Sequence, residues 1–183
     1  MRVLISYLFI VLFSSILLAQ TKYYTKSGTI NFEASVPSFE EVIAKNNTVS
    51  SILNIDTGEI AVLAFVKGFR FKIALMEEHF NENYAESAKF PKATFTGLIN
   101  DFSFDSLTSK AKFFNLNGDL TFHGKTVHIN PEVLISKDNN IIYLASAFRL
   151  SPHEFDINLP KIVRKKVAET VEVTINFVLI TKS

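Results

Sequence analysis

The chain of 183 residues carries 19 Lys and Arg against 18 Asp and Glu, no cysteine and 18 phenylalanines. That length fits one domain, and the near-neutral balance argues against a nucleic-acid partner, because phosphate contacts need a basic excess. Without cysteine there is no disulfide, thiolate zinc site or cysteine nucleophile, so a packed core alone must hold the fold.

The first segment, MRVLISYLFIVLFSSILLAQ, sets Arg2 ahead of an apolar run that ends at Ala19. A leading cation, an apolar stretch and a small residue are the parts of a secretory signal peptide. The expected cut lies between Ala19 and Gln20. Residues 1–19 are then a leader and 20–183 one domain, secreted or periplasmic. The run is shorter than the ~20 residues of a spanning helix. Leu17 is larger than the usual residue near a cut, which keeps a retained anchor as the alternative.

Beyond the leader, alternation with period two dominates, the mark of strands with one apolar face. Ile30 and Phe32 oppose Asn31 and Glu33. SFEEVIAKN (38–46) predicts a short helix, with Ser38 as N-cap and Glu41 completing a capping box. NIDTGEI (54–60) reads as a tight turn between strands. IAVLAFV (60–66) is apolar on both faces and gives no orientation, and residues 93–100 make another strand. Phe114, Leu116, Gly118, Leu120 and Phe122 share one face of the next, and Gly124-Lys125 predicts a two-residue hairpin. Val127, Ile129, Val133 and Ile135 continue the apolar set. Residues 141–150 place Ile142, Leu144, Phe148 and Leu150 together. PKIVRKKVAET (160–170) predicts a second helix opened by Pro160. Val171, Val173, Ile175, Phe177 and Leu179 alternate through the last strand. Many short antiparallel strands with isolated helices indicate a sandwich or a closed barrel.

Four blocks carry a family resemblance: YYTKSGTINFEAS, GFRFKIALMEEHFNENYAESAKFPKATFTG, GDLTFHGKT and FDINLPKIV. In this order they resemble the YceI-like family, in the version common in the Bacteroidetes, across nearly all of the chain after the leader. SPHEFDINLP departs from it, with His153-Glu154-Phe155 where many relatives have an Asp-Tyr pair. The resemblance implies an all-β, lipocalin-like antiparallel barrel of about eight strands with one to three short helices. It also implies an elongated apolar cavity for a long-chain lipid: a polyisoprenoid, an isoprenoid quinone or a fatty-acid derivative. It brings no catalytic motif and no cofactor.

Inside such a barrel, Phe32, Leu116, Gly118, Leu120, Phe122 and Val127 are expected to line the cavity, as are Ile129, Leu144, Phe148, Val173, Ile175 and Phe177. Gly118, between Leu116 and Leu120, marks either close approach by a ligand or a bend at a barrel corner. EEHFNENYAES (77–87) is expected at the mouth, with Met76, His79, Phe80, Asn83 and Tyr84. There His79 meets a polar head group or acts as a pH-sensitive latch. Read as a helix, the segment also puts His79, Glu82 and Glu86 on one face, but a single histidine is a poor zinc site. His123 and His128, flanking the hairpin, are expected to lie diagonally on the outer face. Lys161, Arg164, Lys165 and Lys166 read as a solvated face, with contact to anionic lipid headgroups as the alternative. No G-x-S-x-G or H-E-x-x-H occurs. The expected function is storage or transport of a lipid without catalysis. The alternatives are an envelope-stress or interaction protein with a filled barrel, and a metal-assisted hydrolase using the His79 cluster.

Overall fold

Eight antiparallel strands hydrogen-bond into a closed ring in the computed structural model, which describes residues 22–181. The expected leader lies outside the described residues. The strands are β1 (Lys22–Glu33), β2 (Ile43–Asn54), β3 (Glu59–Phe65), β4 (Arg70–Phe71), β5 (Lys92–Ile99), β6 (Lys112–Phe122), β7 (Lys125–Ile129), β8 (Glu132–Asp138), β9 (Ile141–Leu150) and β10 (Val171–Thr181). The ring runs β1-β10-β9-β8-β6-β5-β3-β2 and returns to β1. The short β4 adds to β2, and β7 adds to β6. Closure leaves few exposed edges, which a chain so rich in Phe and Val requires. Two short helices, α1 (Ala74–His79) and α2 (Lys161–Arg164), sit outside the ring.

The interior has two halves. Toward one end Leu53, Val133, Ile135, Ile142, Leu144 and Leu179 are buried in a solid core. Phe102, Phe104 and Leu107, from the β5–β6 loop, close that end. Phe104 stacks on Tyr23 at 5.6 Å, and Lys137 Nζ lies 4.1 Å above its ring. The other half is hollow.

Gly97 and Gly118 face each other across β5 and β6. The Phe95 ring lies over both: a side-chain carbon on Gly118 would sit 2.5 Å from Phe95 Cζ, and one on Gly97 2.7 Å. Of the roles expected for Gly118, close approach by a ligand does not hold: the Thr96 carbonyl and the Phe95 ring crowd it instead, and it is not on the cavity wall. It makes room for a neighbouring ring, so it does not line the cavity. Gly118→Ala is therefore expected to destabilise the fold by roughly 1–3 kcal/mol, the usual cost of overpacking, as chemical denaturation would show. A midpoint equal to the parent's would mean that the Phe95 ring and the facing β5 backbone both give way freely.

Two local expectations fail. Residues 34–42 form no helix: Ser38 is left-handed (φ 73°), and Ala34 N donates to the Val42 carbonyl at 2.9 Å. Ile43 and Ala44 pair with Glu33 and Phe32, so the sheet claims the residues that the helix needed. A helix this short is marginal alone, and the ladder outweighs its capping box. The second helix covers only Lys161–Arg164, with Pro160 as its cap.

The hairpin turn is also one residue earlier than expected. His123 (φ 50°) and Gly124 (φ 74°) form the loop, and Phe122 pairs with Lys125. Two successive positive φ values make the type I′ turn that matches strand twist, and histidine is among the residues that tolerate such φ. Asp119 then opposes His128 and bonds its Nδ1 at 2.8 Å. The two histidines do not form the expected outer diagonal.

Candidate functional site

The hollow half encloses a cavity of about 690 Å³, inside the roughly 300–1,000 Å³ range of small-molecule sites. Its wall is almost wholly carbon because alternate residues of each strand face inward. Ile30, Val62, Ala93, Phe95, Leu120 and Ile175 touch both the cavity and the solid core, forming its floor. Small side chains keep the space open: Ala34, Ala64 and Ala93 all stand on the wall.

Most of the expected lining lies on this wall. Phe32, Leu116, Leu120, Phe122 and Ile129 do, and so do Phe148, Val173, Ile175 and Phe177. Phe32, Val173 and Phe148 are consecutive partners across β1, β10 and β9, forming one rung of the upper cavity. Leu144 stands one layer too deep; opposite Phe177 and Ile135, it belongs to the solid core. Val127 pairs with Leu120 but lies off the wall, on the strand that meets the Pro152–Phe155 turn. With Gly118, these are the three corrections to the lining set.

At the mouth, Met76, His79, Phe80 and Tyr84 border the cavity, whereas Asn83 faces solvent. The segment 77–87 is not a continuous α-helix. After α1 the chain widens into a π-helical turn over Phe80–Tyr84 and reverses at Glu86, where φ is 43°. Glu77 anchors it: its carboxylate accepts from Arg70 Nη1 at 2.9 Å and from Phe71 N at 3.1 Å. The Asn81 carbonyl accepts from both Ser87 N and Ser87 Oγ. These bonds aim Phe80 into a cluster with Phe32, Phe69 and Phe71, ring centres 5.2–6.0 Å apart. Aromatic pairs at such spacing stabilise beyond their buried area. The segment is thus a polar-backed shelf that presents apolar side chains to the mouth. The widened turn separates Glu86 from His79, so the expected shared face does not form.

Glu86 instead meets His123, its Oε2 2.7 Å from Nε2. Nδ1 of the same ring lies 2.8 Å from the Phe155 carbonyl. A carbonyl only accepts, so Nδ1 donates to it, and Nε2 faces the Glu86 carboxylate. The ring is packed edge-on against Phe90 at 4.7 Å. His123 therefore ties the hairpin, the shelf and the Pro152–Phe155 turn together.

That turn fills a seam in the wall. β8 pairs only with Lys112–Asn115 of β6, and β7 takes over along Gly118–Phe122. β9 pairs with β8 only as far as Ala145, so its mouth-side half has β10 alone as a neighbour. Phe155, 2% exposed, fills the gap and packs on Phe122 at 5.8 Å. Lys125 and Asp156 add an exposed ion pair at 2.6 Å.

Alternation within strands did not reveal Phe69, Phe71, Phe155 and Ile157, which also line the cavity, because they sit in turns or in the two-residue β4. Their signal was the density of phenylalanine in GFRF and HEFDI. The polar groups at the wall are few, with Glu40, His79 and Lys166 at the mouth. The described residues contain no group of three or more His, Asp and Glu side chains placed to hold a metal ion.

The sequence pattern of the YceI-like domain family matches residues 22–179. No curated protein matches the chain. Among solved structures it is similar to a polyisoprenoid-binding domain from Saccharophagus degradans implicated in plant cell wall breakdown, at 13% identity and TM-score 0.77, covering 88% of this chain and 98% of that one. Burkholderia cenocepacia BcnA gives 14% identity and TM-score 0.69 over 83% and 95% of the two chains. The Campylobacter jejuni YCEI protein gives 12% and 0.61 over 81% and 89%.

Proposed function

The chain belongs to the YceI-like domain family, and from that membership and its cavity we propose that it holds one long-chain apolar lipid, of polyisoprenoid type, for storage or transport. The observation that carries this is the carbon-lined chamber of about 690 Å³. Each methylene moved into it from water contributes roughly 0.8 kcal/mol, so a tail binds tightly without polar contacts. The head group stays at the mouth, beside Glu40, His79 and Lys166. The similarity to a polyisoprenoid-binding domain supports the same class of guest. A filled barrel suits only the solid half.

The protein acts without catalysis in this proposal. Of the carboxylates expected beside His79, Glu86 pairs with His123 instead, which weakens the hydrolytic alternative. A leader cut after Ala19 would deliver it outside the cytoplasm, where an apolar guest needs a carrier between membranes. Native mass spectrometry of protein purified from its own host is expected to show one lipid per chain, released by organic extraction. Protein that is consistently empty there, and that takes up neither a prenyl quinone nor a fatty acyl probe, would overturn the proposal.

A further inference from the structure

Three elements far apart in sequence bring exposed apolar side chains to the rim of the cavity. Phe39 in the β1–β2 loop is 47% exposed and Leu75 on α1 57%, and both border the mouth. Ile162 on α2 is 78% exposed, next to Val163, which lines the same mouth. Large apolar groups in water at an opening already lined with carbon point to a surface that something apolar covers. The flanking charge indicates what covers it. Lys161, Arg164, Lys165 and Lys166 crowd the α2 side, and none forms an ion pair among the described residues. The exposed acids Glu40 and Glu41 belong to the β1–β2 loop, and Glu78 and Glu82 to α1 and the turn after it.

We infer that this rim docks on the surface of an anionic lipid bilayer, the α2 side leading. The cations meet the headgroups, and Ile162, Leu75 and Phe39 enter the interface. An interfacial site of this kind combines buried apolar area with attraction to anionic lipid. Docking sets the cavity mouth against the acyl layer, so a guest moves between bilayer and barrel without crossing water. The inference rests on the lipid-binding function proposed above. The acids on the other two rim elements set the tilt, since they disfavour flat contact with an anionic surface.

Flotation with vesicles of equal parts phosphatidylcholine and phosphatidylglycerol tests it. The parent protein is expected to float with them and to be released by salt. Ile162→Asp should lower partitioning about tenfold. Lys161→Gln with Lys165→Gln should lower it on the mixed vesicles, again about tenfold, but not on pure phosphatidylcholine. All three residues lie off the cavity wall, so uptake of a prenyl quinone added from ethanol should match the parent, while transfer from quinone-loaded vesicles slows. A parent that takes up quinone from ethanol yet ignores the vesicles overturns the docking and leaves the lipid-binding function standing. Variants that float as well as the parent overturn it too. A parent that floats but takes up neither quinone nor a fatty acyl probe supports the docking and sinks the function.

Discussion

Val173→Trp is expected to weaken uptake of a prenyl quinone about a hundredfold while leaving a folded β spectrum. Val173 lies on the cavity wall between Phe32 and Phe148, on the rung nearest the mouth aromatics. An indole there projects into empty space, so the overpacking strain typical of a full core does not arise. It occupies room that three or four methylenes of a tail would fill. At roughly 0.8 kcal/mol each, their exclusion weakens binding by about 3 kcal/mol, on the order of a hundredfold. Val178→Trp is the matched control: it is on the same strand but faces outward beside Tyr143, and it should bind like the parent. If a fluorescence titration gave the parent's affinity for Val173→Trp, the guest would have to sit outside this chamber.

The second large effect belongs to His123. Its ring makes two hydrogen bonds to separate segments, and only 11% of the side chain is exposed. His123→Asn keeps a residue that tolerates positive φ but reaches neither partner. The Glu86 carboxylate, 41% exposed, can turn to water; the carbonyl of the buried Phe155 has less access to it. A charged and a neutral hydrogen bond together stabilise by roughly 2–4 kcal/mol. Calorimetry should therefore show a midpoint about 10 °C lower. Lys125→Ala removes the neighbouring exposed ion pair, and such pairs contribute about 0–1 kcal/mol. In hydrogen exchange the His123 variant should lose protection first at Asp156 and Ile157, whose amides bond only within their own turn. Equal midpoints for His123→Asn and Lys125→Ala would show that the seam is held by Phe155 packing alone.

The histidine that ties segments together here is His123 and not His79. His79 is an exposed rim residue with no hydrogen bond among the described residues. His123 looked like surface because alternation placed it outside. Two hairpin registers, differing by one loop position, keep Leu120, Val127 and Ile129 on the same face. The apolar pattern could not choose between them, since only a shift that flips faces meets a hydrophobic penalty. The Glu86 side chain and the Phe155 carbonyl, 37 and 32 residues away, favour the earlier register.

The depth of each inward residue was equally hidden. Alternation assigned Leu144 and Phe148 to one face, and both do face in. One is entombed and the other borders empty space, because the β5–β6 loop plugs one end of the barrel and nothing equivalent among the described residues fills the other. A strand's own sequence carries no record of what loop lies above it. Gly118 teaches the same lesson, since only the pairing of β5 with β6 brings the Phe95 ring across it.

By itself, the sequence determined most strands, the inward faces of those that alternate, and the family, since each depends on local periodicity or on short motifs that survive without knowledge of neighbours. Tertiary structure decided where the barrel is solid, where it is hollow and which histidine joins its parts. Those properties depend on which distant side chains meet, and cross-strand register and loop placement fix that only when the ring closes.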